Sequence, residues 1–173
     1  AALTGVTARI DMCRPIGCHP AMAALLADRV VAVMRDHDLT GQSVSVLLAA
    51  HGNRQNPANA RQVNGLALAI GELCDKICVV AAFIEQAPLI SDWPINIETE
   101  NLIVLPFMIG GGRHGAEDVP TMIGLDPSHA DLTIRAPVAG PFKLAGRAIW
   151  YCRAIGYDPA LAPMIMDLVE QAS

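Results

Sequence analysis

Four short runs of this 173-residue chain combine imidazole, carboxylate and guanidinium groups with glycine, the mixture a ligand site needs. They are His51-Gly52-Asn53-Arg54, then Glu85 with Pro88, then Gly110-Gly111-Gly112-Arg113-His114, and finally the stretch from Pro137 to Pro141. The His51 imidazole can give a nitrogen lone pair to a divalent metal or take a proton near neutral pH. It can equally hydrogen-bond the loop that follows, and position alone leaves both readings open. Gly52 permits a tight turn beside a ligand, while Asn53 and Arg54 can orient it or meet carboxylates. The glycines before His114 let the backbone approach a bulky group closely, the alternative being a surface turn in which the imidazole is incidental. Asp118 can hold the second nitrogen of that imidazole or cap a helix. Glu85 can act as a third metal ligand, as a base, or as a solvated strand-end carboxylate. His51, Glu85 and His114 together would make an N,N,O donor set suited to Co²⁺, Fe²⁺, Ni²⁺ or Zn²⁺, whereas Mg²⁺ and Ca²⁺ favour carboxylate-rich cages.

Runs so distant in sequence converge if each follows a strand of one open α/β sheet, because ligands there sit beyond the carboxyl ends of the strands. The apolar pattern predicts such a sheet. Residues 43–50, 76–84 and 101–109 read as buried strands, and 7–12 and 131–138 as two more. Helical spacing or helix punctuation marks 19–35, the run after His51, a short segment near Glu117, then 142–153 and 159–171. The expected fold is therefore α/β, three-layer α-β-α with a mostly parallel sheet, in the order β-α-β-α-β-α-β-α-β-α.

Length favours one domain, and a chain of this size buries roughly 69% of its extended surface on folding, enough for a core without a structural metal or disulfides. An apolar share of 53% against 17% charged argues against disorder. Twelve Lys and Arg against seventeen Asp and Glu give a net charge of -5, and the scattered arginines form no stripe that would follow a phosphate backbone, so nucleic acid is not an expected partner. Apolar runs break off before the roughly 20 residues that cross a bilayer, and the first residues show no signal core, so neither membrane nor export is expected. Five cysteines, an odd number, fit a reducing cytoplasm. The triple glycine forms neither GxGxxG nor a Walker loop, so no nucleotide fingerprint is present. Cys74 and Cys78 read as buried structural thiols, Cys13, Cys18 and His19 as a turn-local coincidence, and His37 and His129 as polar helix-end or loop residues.

The runs VLLAAHGNRQNPAN, VVAAFIEQAPLI, IVLPFMIGGGRHGAEDVP and IRAPVAG, in that order, resemble the sirohydrochlorin chelatase family, class II chelatases related to ferrochelatase. Asn53 stands where the family's HGS start has serine, and Pro137-Val138-Ala139-Gly140 matches the late Pro-Leu-Gly turn only loosely. The resemblance implies an ATP-independent lyase that places a divalent metal, its substrate, into a modified tetrapyrrole. It carries the family's metal-site residues onto His51, Glu85 and His114, which would also be the catalytic ones. The loops of Asn53, Arg54, Gly111, Gly112 and Arg113 would bind the macrocycle. By analogy with two-half cobalt chelatases, the expected reaction is cobalt insertion into sirohydrochlorin for cobalamin synthesis, with iron or nickel as alternatives. Residues 12–30 are similar to the last β-α unit of a preceding chelatase half. The expected division is thus 1–40 as the end of such a half and 41–173 as a chelatase-like domain, active as a homodimer or with a missing N-terminal half. A weak echo between 10–30 and 132–152 fits that view, although all β-α units share such punctuation. A non-catalytic metal or tetrapyrrole carrier is the competing reading, and a ligand-binding module of periplasmic or regulatory type a third.

Overall fold

In the computed structural model, which describes residues 11–75, 77–110, 117–126 and 136–172, the architecture is organised around one strand. All seven residues of β1 (Val44–Ala50) are buried, because neighbours flank it on both sides and helical layers cover both faces. It pairs in parallel with β2 (Cys78–Phe83) in the register Val46↔Val79 and with β3 (Asn101–Pro106) in the register Val46↔Ile103. Beyond β3 lies β5 (Arg147–Cys152), also parallel, with Ile103 opposite Trp150. β4 (Val138–Leu144) closes that edge as the one antiparallel partner, giving the order β2-β1-β3-β5-β4.

Strand alternation sorts the core into two layers. Val46, Leu48, Ile103, Leu105, Trp150 and Cys152 face α1 (Met22–Asp36), α2 (Pro57–Leu73) and the first turns of α5 (Leu161–Ala172). Leu47, Leu102, Val104, Ile149 and Tyr151 face the other way, against Ile90, α3 (Trp93–Asn96) and α4 (Val119–Ile123). Each fully buried leucine, such as Leu48, contributes about 1.5–3 kcal/mol by leaving water. In α1 the buried Met22, Leu26, Val30 and Val33 recur at helical spacing and so lie on one face. α2 starts where Asn56 accepts a hydrogen bond from the Ala58 backbone N–H at 3.0 Å, with Pro57 in the first turn, where its missing N–H costs nothing. This is the three-layer α/β fold with a mostly parallel sheet that the sequence predicts.

Two expectations change, and two others fall largely outside the described residues. Residues 142–153 are no helix: they belong to the β4–β5 hairpin, turned at Ala145 (φ 48°) and Gly146 (φ 77°). Two successive left-handed residues are what a tight hairpin needs, and the β-branched and aromatic run Ile149-Trp150-Tyr151 suits a buried strand better than a helix. The β-α alternation is therefore broken there. The strand placed at 131–138 lies largely outside the described residues, and β4 begins only at its last position. Of the strand placed at 7–12, Asp11 and Met12 are described and are exposed and irregular. Cys78, expected to be buried, is exposed because it opens edge strand β2.

Candidate functional site

The parallel register that pairs Ala50 with Phe83 continues past the strand ends. Ile84 N–H donates to the Ala50 carbonyl at 3.0 Å, and Glu85 N–H to the His51 carbonyl at 3.1 Å. Two residues far apart in sequence are thereby fixed as neighbours by main-chain bonds. Their side chains follow: His51 Nδ1 lies 3.8 Å from Glu85 Oε2, with 44% and 52% of the two side chains exposed. The same nitrogen is 3.2 Å from the Gly52 carbonyl, so the loop-bonding reading of this histidine is the one the geometry realises.

The turn behind the pair depends on glycine. Gly52 has φ +80°, and a Cβ there would meet Gln86 Cγ at 2.9 Å and Phe83 Cβ at 3.0 Å. Gln86, which the motif reading passed over, clamps this turn: its Oε1 accepts from Asn53 N–H at 2.7 Å. The signal was its place directly after Glu85. Asn53 turns its own Oδ1 inward to accept from Gln55 N–H at 2.9 Å, and Arg54 Nε donates to the Glu85 carbonyl. Asn53 and Arg54 thus tie the β1 and β2 loops together, while Arg54 remains exposed.

Other segments reach the same edge. Phe107 N–H donates to the Ala49 carbonyl at 2.7 Å, extending β3 towards the glycine run. The turn at Ile16–Cys18 sits over Phe107, for a Cβ on Gly17 would come within 3.0 Å of that ring. His19 Nε2 meets Asp167 Oδ2 of α5 at 2.8 Å, and this bond holds the Asp167 carboxyl below its ordinary range. After β5, Gly156 N–H donates to the Met108 carbonyl at 3.0 Å, and a Cβ on Gly156 would stand 1.5 Å from the Ile109 carbonyl oxygen. Only glycine lets that turn press against the end of β3.

Gly111, Gly112, Arg113 and His114 lie outside the described residues. Asp118 occupies the N-cap position of α4 without a side-chain bond to its backbone. Among the described residues no group of three His, Cys, Asp or Glu is placed to hold a metal, and the His51–Glu85 pair brings two side chains of donor type together. The two buried thiols add nothing to them: burial raises Cys74, and burial pushes Cys152 up to about 11 against a smaller pull from Arg29, which keeps both protonated and inert. Among the described residues no helix is long and apolar enough to cross a membrane.

The CbiX family model matches residues 45–172. A probable sirohydrochlorin cobaltochelatase of Halobacterium salinarum is 26% identical over 163 residues, covering 94% of this chain and 54% of that protein. The chain therefore spans about half the length of this relative. Sirohydrochlorin cobaltochelatases of Methanopyrus kandleri and Methanothermobacter thermautotrophicus are 26% and 28% identical, each covering 75% of this chain and 96% and 92% of their own lengths. Among solved structures, CbiX, described as the terminal enzyme of sirohaem biosynthesis in denitrifying bacteria, superposes with a TM-score of 0.69 at 20% identity, over 93% of this chain and 62% of that one. A multi-domain Deinococcus radiodurans protein with structural similarity to chelatases gives 0.59 at 23% identity, over 92% and 31%.

Proposed function

Since the chain belongs to the CbiX family, we propose that it is a class II chelatase that inserts a divalent transition metal, cobalt first, into sirohydrochlorin without ATP. The observation that carries the reading is the His51–Glu85 pair, 3.8 Å apart and half exposed beyond the carboxyl ends of β1 and β2. A borderline nitrogen donor beside a carboxylate suits Co²⁺, Fe²⁺ or Ni²⁺, and the exposure lets a hydrated ion reach both. His114, reached through the glycine run, is assigned as the third donor.

The chemistry follows from charge balance. Two pyrrole N–H protons leave as one M²⁺ enters, so the macrocycle's four nitrogens take over the ion with no net change of charge at its centre. The protons pass to Glu85 and to the imidazole that has released the ion, and from there to water. Gly52 and Gln86 hold the pair in register while this exchange proceeds. The choice of cobalt rests on the names of the three relatives, and the use of the product in cobalamin synthesis on analogy. Residues 1–40 are assigned to the end of a preceding half. The family match begins only at residue 45, whereas the longer halobacterial relative aligns with 94% of the chain, and both facts support that division.

Anaerobic absorbance of sirohydrochlorin with Co²⁺, Fe²⁺ or Ni²⁺, with and without the purified chain, tests the reading. Many turnovers per chain, fastest with Co²⁺, are expected. A bound-ligand spectrum without turnover would favour the carrier, or a half that needs its partner. No rate and no binding with any of the metals would sink the proposal.

A further inference from the structure

A cavity of about 400 Å³ opens at the opposite edge of the sheet, between α1 and the β4–β5 hairpin. Arg29 of α1 and Arg153, the residue after β5, share one wall, for Arg29 Nη2 donates to the Arg153 carbonyl at 2.6 Å. Arg153 is held against the Tyr157 ring at 5.3 Å, so its planar group is braced. Three buried side-chain nitrogens find no hydrogen-bond partner among the described residues: Arg29 Nη1, Arg153 Nε and Trp150 Nε1. The first two belong to this wall, and the Trp150 ring stands 6.0 Å from that of His37, which lines the cavity as well. Buried donors gathered in one place, two of them on cations, describe a receptor for an acceptor.

The local charges choose which acceptor. Asp36 also lines the cavity, but its carboxylate is bound to Arg35 at 2.8 Å and lies mostly in water. Asp158 faces Arg29 only loosely, its Oδ2 3.9 Å from Nε, while its Oδ1 accepts from Ala160 N–H. Two guanidinium groups against one partly engaged carboxylate leave a single positive charge to be met. Val33, Pro137 and Val138 give the remaining wall an apolar character. A compact dianion such as phosphate overshoots this charge and leaves the apolar wall unmatched. A monocarboxylate on a short aliphatic stem satisfies both, its two oxygens taking the waiting N–H groups.

We infer that the cavity between α1 and the β4–β5 hairpin is a binding site for an organic carboxylate, held by Arg29 and Arg153. The carboxylate is either a free small acid or an acid arm of a larger ligand. The second source is within reach, since β5 is two strands from β1, roughly 10 Å across the sheet, and runs parallel to it so that both strands finish at the same carboxyl end. Only the assignment to a macrocycle arm rests on the metal-insertion reading; the carboxylate site itself stands on the cavity.

The test is saturation-transfer NMR of the full chain titrated with propionate, in the absence of metal and macrocycle, with inorganic phosphate as the contrasting probe. Saturable propionate binding is expected, weakened about tenfold in Arg153→Gln, where a charge-assisted bond is lost. Should that variant fold poorly by circular dichroism, Ala32→Leu, which fills the cavity from the surface of α1, is expected to weaken binding by a similar factor. No saturable propionate signal, unchanged affinity in both variants, or phosphate binding as tightly as propionate would each overturn the inference. Sirohydrochlorin added at saturation separates the two sources. Displacement of propionate supports a macrocycle arm, and retention supports a free acid. Because binding is read without turnover, an inactive chain that still takes propionate would count against the chelatase reading alone.

Discussion

The two ends of the sheet handle charge in opposite ways. At the β2–β1 end, an imidazole and a carboxylate stand about half in water, fixed by main-chain bonds between parallel strands. At the β5–β4 end, two guanidinium groups are drawn under α1, and Arg29 keeps only 17% of its side chain exposed. Neutral and anionic donors that wait for a hydrated cation lose little by staying hydrated themselves. Cations kept beneath a helix are costly unless something meets them. If both proposals hold, the contrast teaches that one fold would offer an exchange site at one end and a selective receptor at the other. What differs is whether the edge strand runs parallel to its neighbour, as β2 does, or antiparallel, as β4 does.

The strongest way to break the arrangement is between the two ends, where the turn after β5 presses on the end of β3. Gly156→Ala forces a methyl group into the Ile109 carbonyl, and the variant is expected to lose about 3–5 kcal/mol of stability, read from urea unfolding, and metal insertion with it. His51→Ala separates chemistry from fold. Insertion is expected to fall by about a hundredfold while the melting temperature stays near that of the parent, because the side chain is 44% exposed. Near-parental turnover in a folded His51→Ala chain would remove this residue from the mechanism. At the other end, Ala145→Asn replaces a strained left-handed alanine, φ 48°, with a residue that tolerates the conformation. A gain of about 0.5–1 kcal/mol is expected in the same unfolding assay, with insertion unchanged.

The smallest effect is a dependence on acidity. The His19 bond lowers the Asp167 carboxyl in the folded chain, so its stabilisation is complete above the ordinary carboxylate pKa and is lost as pH falls through the lowered value. His19→Ala should therefore lose this small stabilisation at neutral pH and converge with the parent below about pH 4, so that its acid limb is flatter. An acid limb identical to the parent's would show that the bond contributes nothing.

Strands β1 and β3 were legible because they are buried on both faces, and continuous apolar runs such as Val44–Ala50 are what double burial requires. The hairpin was not. Its turn is Ala145-Gly146, without the asparagine or aspartate that usually marks two left-handed residues, and Phe142-Lys143-Leu144 before it mixes in good helix formers. Exposure at edge strand β2 was equally hidden, since strand order is not written in a strand's own residues. The strand-end rule pointed to His51 and Glu85, and the register explains why they meet; Gln86 escaped because its role is to hold a backbone N–H, which no motif records. The arginine pair was invisible for a simpler reason: its members are 124 residues apart, and nothing local to either announces the other.

On the metal-insertion reading, the half exposure of His51 and Glu85 would also govern how long an ion stays. Two donors open to water offer few simultaneous bonds, and an ion held by few bonds departs quickly. For a protein whose cargo must move on to another ligand, brief residence is the useful property. A tighter cage would keep its ion as a fixture, and each copy of the chain would work once. The same openness would tie loading to the surrounding concentration of free ion, so that occupancy would rise and fall with supply.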